Sequence, residues 1–125
     1  MNNLQKNLQK IANVVTDKYK VGKIEIYFSD KISKAPAVYK TIKTKKGNIP
    51  YQIVIYNFKE VLKFPSQIVL LLAHELAHHI LNQKKNSLKH SIAHGVLEDE
   101  IGTYIYKNLR NLLKNQQKGG KNDKI

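Results

Sequence analysis

Six apolar residues in succession, Ile68-Val69-Leu70-Leu71-Leu72-Ala73, run straight into His74-Glu75-Leu76-Ala77-His78. A helix that is apolar on every face belongs in a core rather than on a surface. Polar side chains within it need partners, because an unpaired buried polar group costs about 1–3 kcal/mol. The rest of the chain must therefore cover this helix and also answer its histidines and its acid. The pattern predicts a start at Phe64-Pro65-Ser66, with proline in the first turn where its missing N–H costs nothing. It predicts that the helix dissolves in Asn82-Gln83-Lys84-Lys85-Asn86.

The other elements follow from periodicity. Leu4, Leu8, Ile11, Val15 and Tyr19 recur at helical steps, predicting an amphipathic helix over 2–20 that Gly22 can end. Lys23-Ile24-Glu25-Ile26-Tyr27-Phe28 alternates as a strand does. Ala37–Lys43 and Tyr51–Tyr56 are two further strands, joined as a hairpin through Lys45-Lys46-Gly47-Asn48, with Pro36 ahead of the first and Pro50 opening the second. A last helix is expected over 97–115, with Ile101, Ile105, Leu109 and Leu112 on one face. The order αβββαα predicts an α+β fold, with a small, three-stranded, mostly antiparallel sheet packed on the histidine-bearing helix. At 125 residues this is one domain, expected over 1–116, followed by a disordered basic tail over 117–125.

Composition narrows the chemistry. The absence of cysteine excludes disulfides, thiolate metal sites and cysteine nucleophiles. No apolar run approaches the roughly 20 residues of a membrane span, and Met1–Lys6 lacks the apolar segment of a signal peptide, so no membrane partner and a cytoplasmic location are expected. A net charge of +13 attracts nucleic acid or acidic partners and by itself selects neither. The bland reading of the hairpin lysines Lys40, Lys43, Lys45 and Lys46 is protection of an exposed strand. The rarer residues say more. All five histidines lie between His74 and His94, and four of the nine acids are Glu75, Glu98, Asp99 and Glu100.

His74 and His78 stand four residues apart, so a helix of 3.6 residues per turn projects both from one face. Two imidazole nitrogens so placed can bind one zinc ion at about 2.1 Å each. Glu75 lies about 100° round the helix, where it can act as general base on water without being a ligand. The plain alternative is a pair of satisfied core histidines with Glu75 turned to solvent. A zinc ion needs a third protein donor, and Glu98, Asp99, Glu100, His90 and His94 are all candidates. The step 98, 101, 105, 109 puts Glu98 on the inward stripe and turns Asp99 and Glu100 away. A donor for a developing oxyanion is also needed; His90, His94 and Tyr104 are candidates.

His74-Glu75-Leu76-Ala77-His78 followed by Glu98-Asp99-Glu100-Ile101-Gly102-Thr103-Tyr104-Ile105 resembles the gluzincins, and more narrowly the ImmA/IrrE family of bacterial and phage metallopeptidases. The resemblance runs over roughly residues 20–113, including the strands up to Gln52–Asn57. It implies a small zincin-like domain in which Glu98 is the third metal ligand and Tyr104-Ile105 occupy the places of the family's Phe-Ala pair. It further implies a zinc-dependent intracellular endopeptidase acting on a specific protein, such as a phage or mobile-element regulator, whose peptide binds extended along Val38–Lys43 or Gln52–Asn57. Ala77 stands where the family usually has Gly, and Gly102 where it has an Asp or Asn that braces a histidine. Asp99 or Glu100 is then the candidate replacement brace. The family's frequent DNA-binding helices have no counterpart ahead of the first strand. His94-Gly95 is similar to the later His-Gly of SprT-like, DNA-associated proteases, which implies His94 as the ligand instead. A second class of function is a non-catalytic, metal-containing binding module.

Overall fold

A computed structural model describes residues 3–29, 31, 34–56 and 65–118. Its elements are α1 (Asn3–Tyr19), β1 (Glu25–Ser29), β2 (Ala37–Thr44), β3 (Gly47–Tyr56), α2 (Pro65–Lys85) and α3 (Ile92–Lys118). The αβββαα order is the one expected. The strand end at Asn57, the helix start at Phe64 and the tail over 119–125 lie outside the described residues, as do the side chains of Leu4, Leu109 and Leu112.

The sheet is mixed rather than mostly antiparallel, with the order β1-β3-β2. β3 pairs in parallel with β1, Ile26 opposite Ile53 and Phe28 opposite Ile55, and antiparallel with β2. The physical reason lies in the strands themselves. Ile53, Val54 and Ile55 are all buried, so β3 takes the centre, where both of its sides are hydrogen-bonded. β1 alternates buried and exposed residues, and β2 is largely exposed beyond Ala37; these make the edges. Gln52–Tyr56 is therefore no edge, and of the two expected peptide-binding strands only β2 has a side unpaired by another strand among the described residues.

Local chemistry sets the element ends. α1 stops at Tyr19, one residue before its expected end, because Lys20 takes the left-handed conformation (φ 58°) and closes a Schellman turn, with Val21 N–H donating to Thr16 O at 3.0 Å. β3 begins at Gly47, ahead of Pro50, and Pro50 sits within it at a bulge. Lys40 pairs with Gln52 but Thr41 with Pro50, so Tyr51 is the extra residue and the missing N–H breaks no ladder. Gly47 has φ 128°, and a Cβ there would stand 2.8 Å from Asn86 Oδ1. α3 starts earlier than 97 because Ser91 caps it: its Oγ accepts the His94 N–H at 3.2 Å. It also runs through Lys118, past the expected end at 115.

α1, the inner face of the sheet, α2 and α3 share one core. Leu8, Ile11 and Val15 meet Ile26, Phe28, Ile53 and Ile55, with Leu72, Leu76 and Ile80 from α2 and Ile101 and Ile105 from α3. Burying each large aliphatic side chain contributes about 1.5–3 kcal/mol. α2 is not covered on every side, however: Leu70 is 49% exposed, on the side that opens into a cleft. No helix among the described residues is long and apolar enough to cross a membrane.

Candidate metal centre

The cleft, about 520 Å³, is bounded by Ala35–Tyr39 at the β2 edge, by His74, Glu75 and His78 of α2, by His90 and by Glu98 of α3. Leu70, Leu71 and Leu88 make its apolar wall. The buried α2 carries the motif into the core, and its helical phase turns both imidazoles to this opening.

Four imidazoles gather here. The ring centroids of His74 and His78 are 4.9 Å apart, those of His78 and His94 4.1 Å, and those of His78 and His90 4.7 Å. His90 Nε2 lies 3.2 Å from His74 Nε2 and 3.0 Å from His78 Nε2. The other nitrogen of His74, Nδ1, lies 2.9 Å from Glu98 Oε1. His94 is buried, with its Nε2 3.1 Å from the His74 carbonyl oxygen and its Nδ1 3.7 Å from Glu98 Oε1. Two groups can hold an ion, each with its donor atoms within 4.8 Å of one another: His74 with His78 and His90, and His74 with His94 and Glu98.

The electrostatics suit a cation. Burial, and then the neighbouring imidazoles of His94, His74 and His90, lower the His78 pKa to about 3, and burial lowers that of His94 as well. Both rings are thus held neutral, with lone pairs available. Neutral imidazoles and a carboxylate are donors that suit zinc and its borderline neighbours. Glu75 is 5% exposed, and burial pushes its carboxyl up to about 7; Glu98 adds to the rise, while His74 and a hydrogen bond from the Tyr39 backbone oppose it.

His74, Glu75, His78 and Glu98 share one cleft, and Glu98 meets His74 at Nδ1, but the expected donor set of His74, His78 and Glu98 is not among the groups of described residues close enough to hold one ion. Asp99 and Glu100 are exposed, and Glu100 accepts the Tyr19 hydroxyl on the far side of α3, so neither braces a histidine of the cleft. Gly102 faces Ala73, whose Cβ would lie 3.8 Å from an added Cβ. Tyr104 packs toward α1 under Lys18 and does not line the cleft.

Tyr39 escaped the sequence reading, which expects His79 only as a surface or supporting residue rather than a ligand. Tyr39 lays its ring parallel to that of His78, at 6.5 Å, and lines the cleft from β2. His79 is fully buried beneath it, with Nδ1 2.8 Å from the Tyr39 hydroxyl and Nε2 2.5 Å from the Gly22 carbonyl. The available signal was the strand alternation of β2, which put Tyr39 on the side of α2. Searches against family models, curated proteins and solved structures give no match to this chain.

Proposed function

We propose that this protein is a small zincin-like, zinc-dependent endopeptidase. The observation that carries the reading is the buried carboxyl of Glu75 in the same cleft as the paired imidazoles of His74 and His78. Those two imidazoles hold the ion; His90 stands within reach of both, whereas Glu98 stands beside His74 but in a group without His78. Zinc bound there supplies Lewis acidity toward a carbonyl oxygen and toward water. Glu75 takes the proton of the attacking water on its carboxylate and returns it to the leaving amine. The free side of β2 offers backbone groups to an extended peptide, which would add as a strand and present its scissile bond above α2. Leu70, Leu71 and Leu88 receive an apolar side chain of that peptide.

The test is zinc content together with cleavage of a proteome-derived peptide library, comparing wild type with Glu75→Gln. The expected result is zinc in both proteins and new peptide termini from wild type alone. A general base contributes about 10²–10⁴-fold, so the variant should leave the library essentially intact. Identical termini from both proteins would overturn the peptidase reading and favour a metal-containing binding module.

A further inference from the structure

We propose that three imidazole nitrogens hold the ion, from His74, His78 and His90, and that Glu98 is not a ligand but the acceptor that orients His74. This deepens the reading of the cleft as a zinc site and rests on it. The geometry begins with His90. Its Nε2 faces two other Nε2 atoms at 3.2 and 3.0 Å. A neutral imidazole carries one proton, so at most one of these contacts can be an ordinary hydrogen bond with His90 as donor. One cation satisfies every nitrogen at once. Two donors on one tetrahedral zinc at about 2.1 Å stand about 3.4 Å apart, close to what these imidazoles already show.

Glu98 occupies a different place. Its Oε1 lies 2.9 Å from His74 Nδ1, and an ionised carboxylate only accepts, so the proton of His74 sits on Nδ1. The lone pair of His74 is then on Nε2, the atom that faces His90. A carboxylate fixing the tautomer of a metal-binding histidine is a common outer support. His94 assists from the other side: its Nε2–H donates to the His74 carbonyl at 3.1 Å, which spends that nitrogen on the helix. Glu98 and His94 are thus positioning residues. They fill the part of the missing acid or amide at Gly102. A donor set of three neutral nitrogens also selects zinc and cobalt over manganese and magnesium, which prefer oxygen.

Cobalt(II) binding read by visible absorption, with X-ray absorption of the zinc form, tests this without any activity assay. Expected are three imidazole nitrogens on zinc and an intense tetrahedral cobalt spectrum in wild type. Glu98→Gln keeps an acceptor for His74 Nδ1–H, so it should retain that spectrum with affinity within about tenfold of wild type. Glu98→Ala should bind about 10- to 100-fold more weakly, yet reach the same spectrum at saturation. His90→Ala, at an exposed position where folding is not at stake, should lose the tetrahedral spectrum. Loss of that spectrum in Glu98→Gln with its retention in His90→Ala would overturn the assignment and leave the zinc reading intact. A wild-type protein that takes up neither metal, with His74→Ala no different, would overturn both.

Discussion

The Tyr39 hydroxyl lies 2.8 Å from Nδ1 of the fully buried His79, and every proton in that contact can be assigned. A carbonyl only accepts, so His79 Nε2, 2.5 Å from Gly22 O, must carry the ring proton. Nδ1 therefore accepts from the Tyr39 O–H, and the Tyr39 oxygen accepts from Asn82 Nδ2 at 3.0 Å. The chain of bonds ties the segment before β1, the free-edged strand β2 and helix α2 together behind the cleft. It thereby holds in place the strand whose ring lies alongside His78.

A neutral, buried His79 makes the metal-free protein acid-sensitive. Burial lowers the pKa of His79 below its ordinary value, and His78 falls to about 3. The unfolded chain binds protons at these sites near pH 6.5 and the folded chain only at lower pH, so stability falls as pH drops through that point. Each such group can cost up to about 1.4 kcal/mol per pH unit. Glu75, raised to about 7, opposes this: it binds its proton first in the folded state, and its stabilisation is lost as pH rises from about 4.5 to 7. His94 is also lowered, so three histidines push stability down as pH falls, against Glu75 alone. Urea unfolding of the metal-free protein should show lower stability at pH 5.5 than at pH 7.5; equal or greater stability at pH 5.5 contradicts the assignment.

Tyr39→Phe removes the hydroxyl that serves both His79 and Asn82. The Asn82 side-chain oxygen already lacks a partner among the described residues, so this network has little slack. The variant should lose about 1–3 kcal/mol in denaturant unfolding. Zinc affinity should hardly change, since no metal donor is touched. A parallel fall in zinc affinity would show instead that the hydroxyl bonds of Tyr39, which the variant removes, support the site, since the ring beside His78 is kept.

Two glycines should respond in opposite directions to the same substitution. Gly102 lies inside α3, where an added methyl meets only Ala73 at an ordinary 3.8 Å, so Gly102→Ala should gain about 0.5–1 kcal/mol. Gly47 has φ 128° and faces Asn86 Oδ1 at 2.8 Å, so Gly47→Ala should lose about 1–3 kcal/mol. Thermal melts of the two variants beside wild type decide both signs.

Zinc should stabilise the folded state by mass action. At a free concentration about 100 times Kd the gain is about 2.7 kcal/mol, reversed by a chelator and absent in His74→Ala. The reading is the midpoint of thermal unfolding with and without zinc. Equal midpoints in wild type with saturating zinc would mean that the cleft binds no ion.

Much of this was legible along the chain. The 3.6-residue step of Leu8, Ile11 and Val15, the hairpin around Lys45-Lys46 and the inward stripe of Glu98, Ile101 and Ile105 are local patterns, and the folded chain keeps them. Other features were present but easy to misread. Gly22 looks like a helix end, yet Lys20 is the residue that turns left-handed, because the two carbonyls it helps to satisfy lie on Thr16 and Asp17. Ser91 caps a helix three residues before His94, a local signal that the apolar stripe beginning at Leu97 hides.

What the amino-acid order alone determined is that His74 and His78 share a helix face with Glu75 a third of a turn away. Helical geometry is set by neighbours in the chain, so spacing suffices. Only the tertiary structure decided that β1 runs parallel to β3, that Tyr39 covers His79, and which atoms meet the two nitrogens of His74. Those outcomes depend on how α3 and the segment around His90 close against α2, and closure is governed by packing between residues far apart in sequence, which no local period encodes.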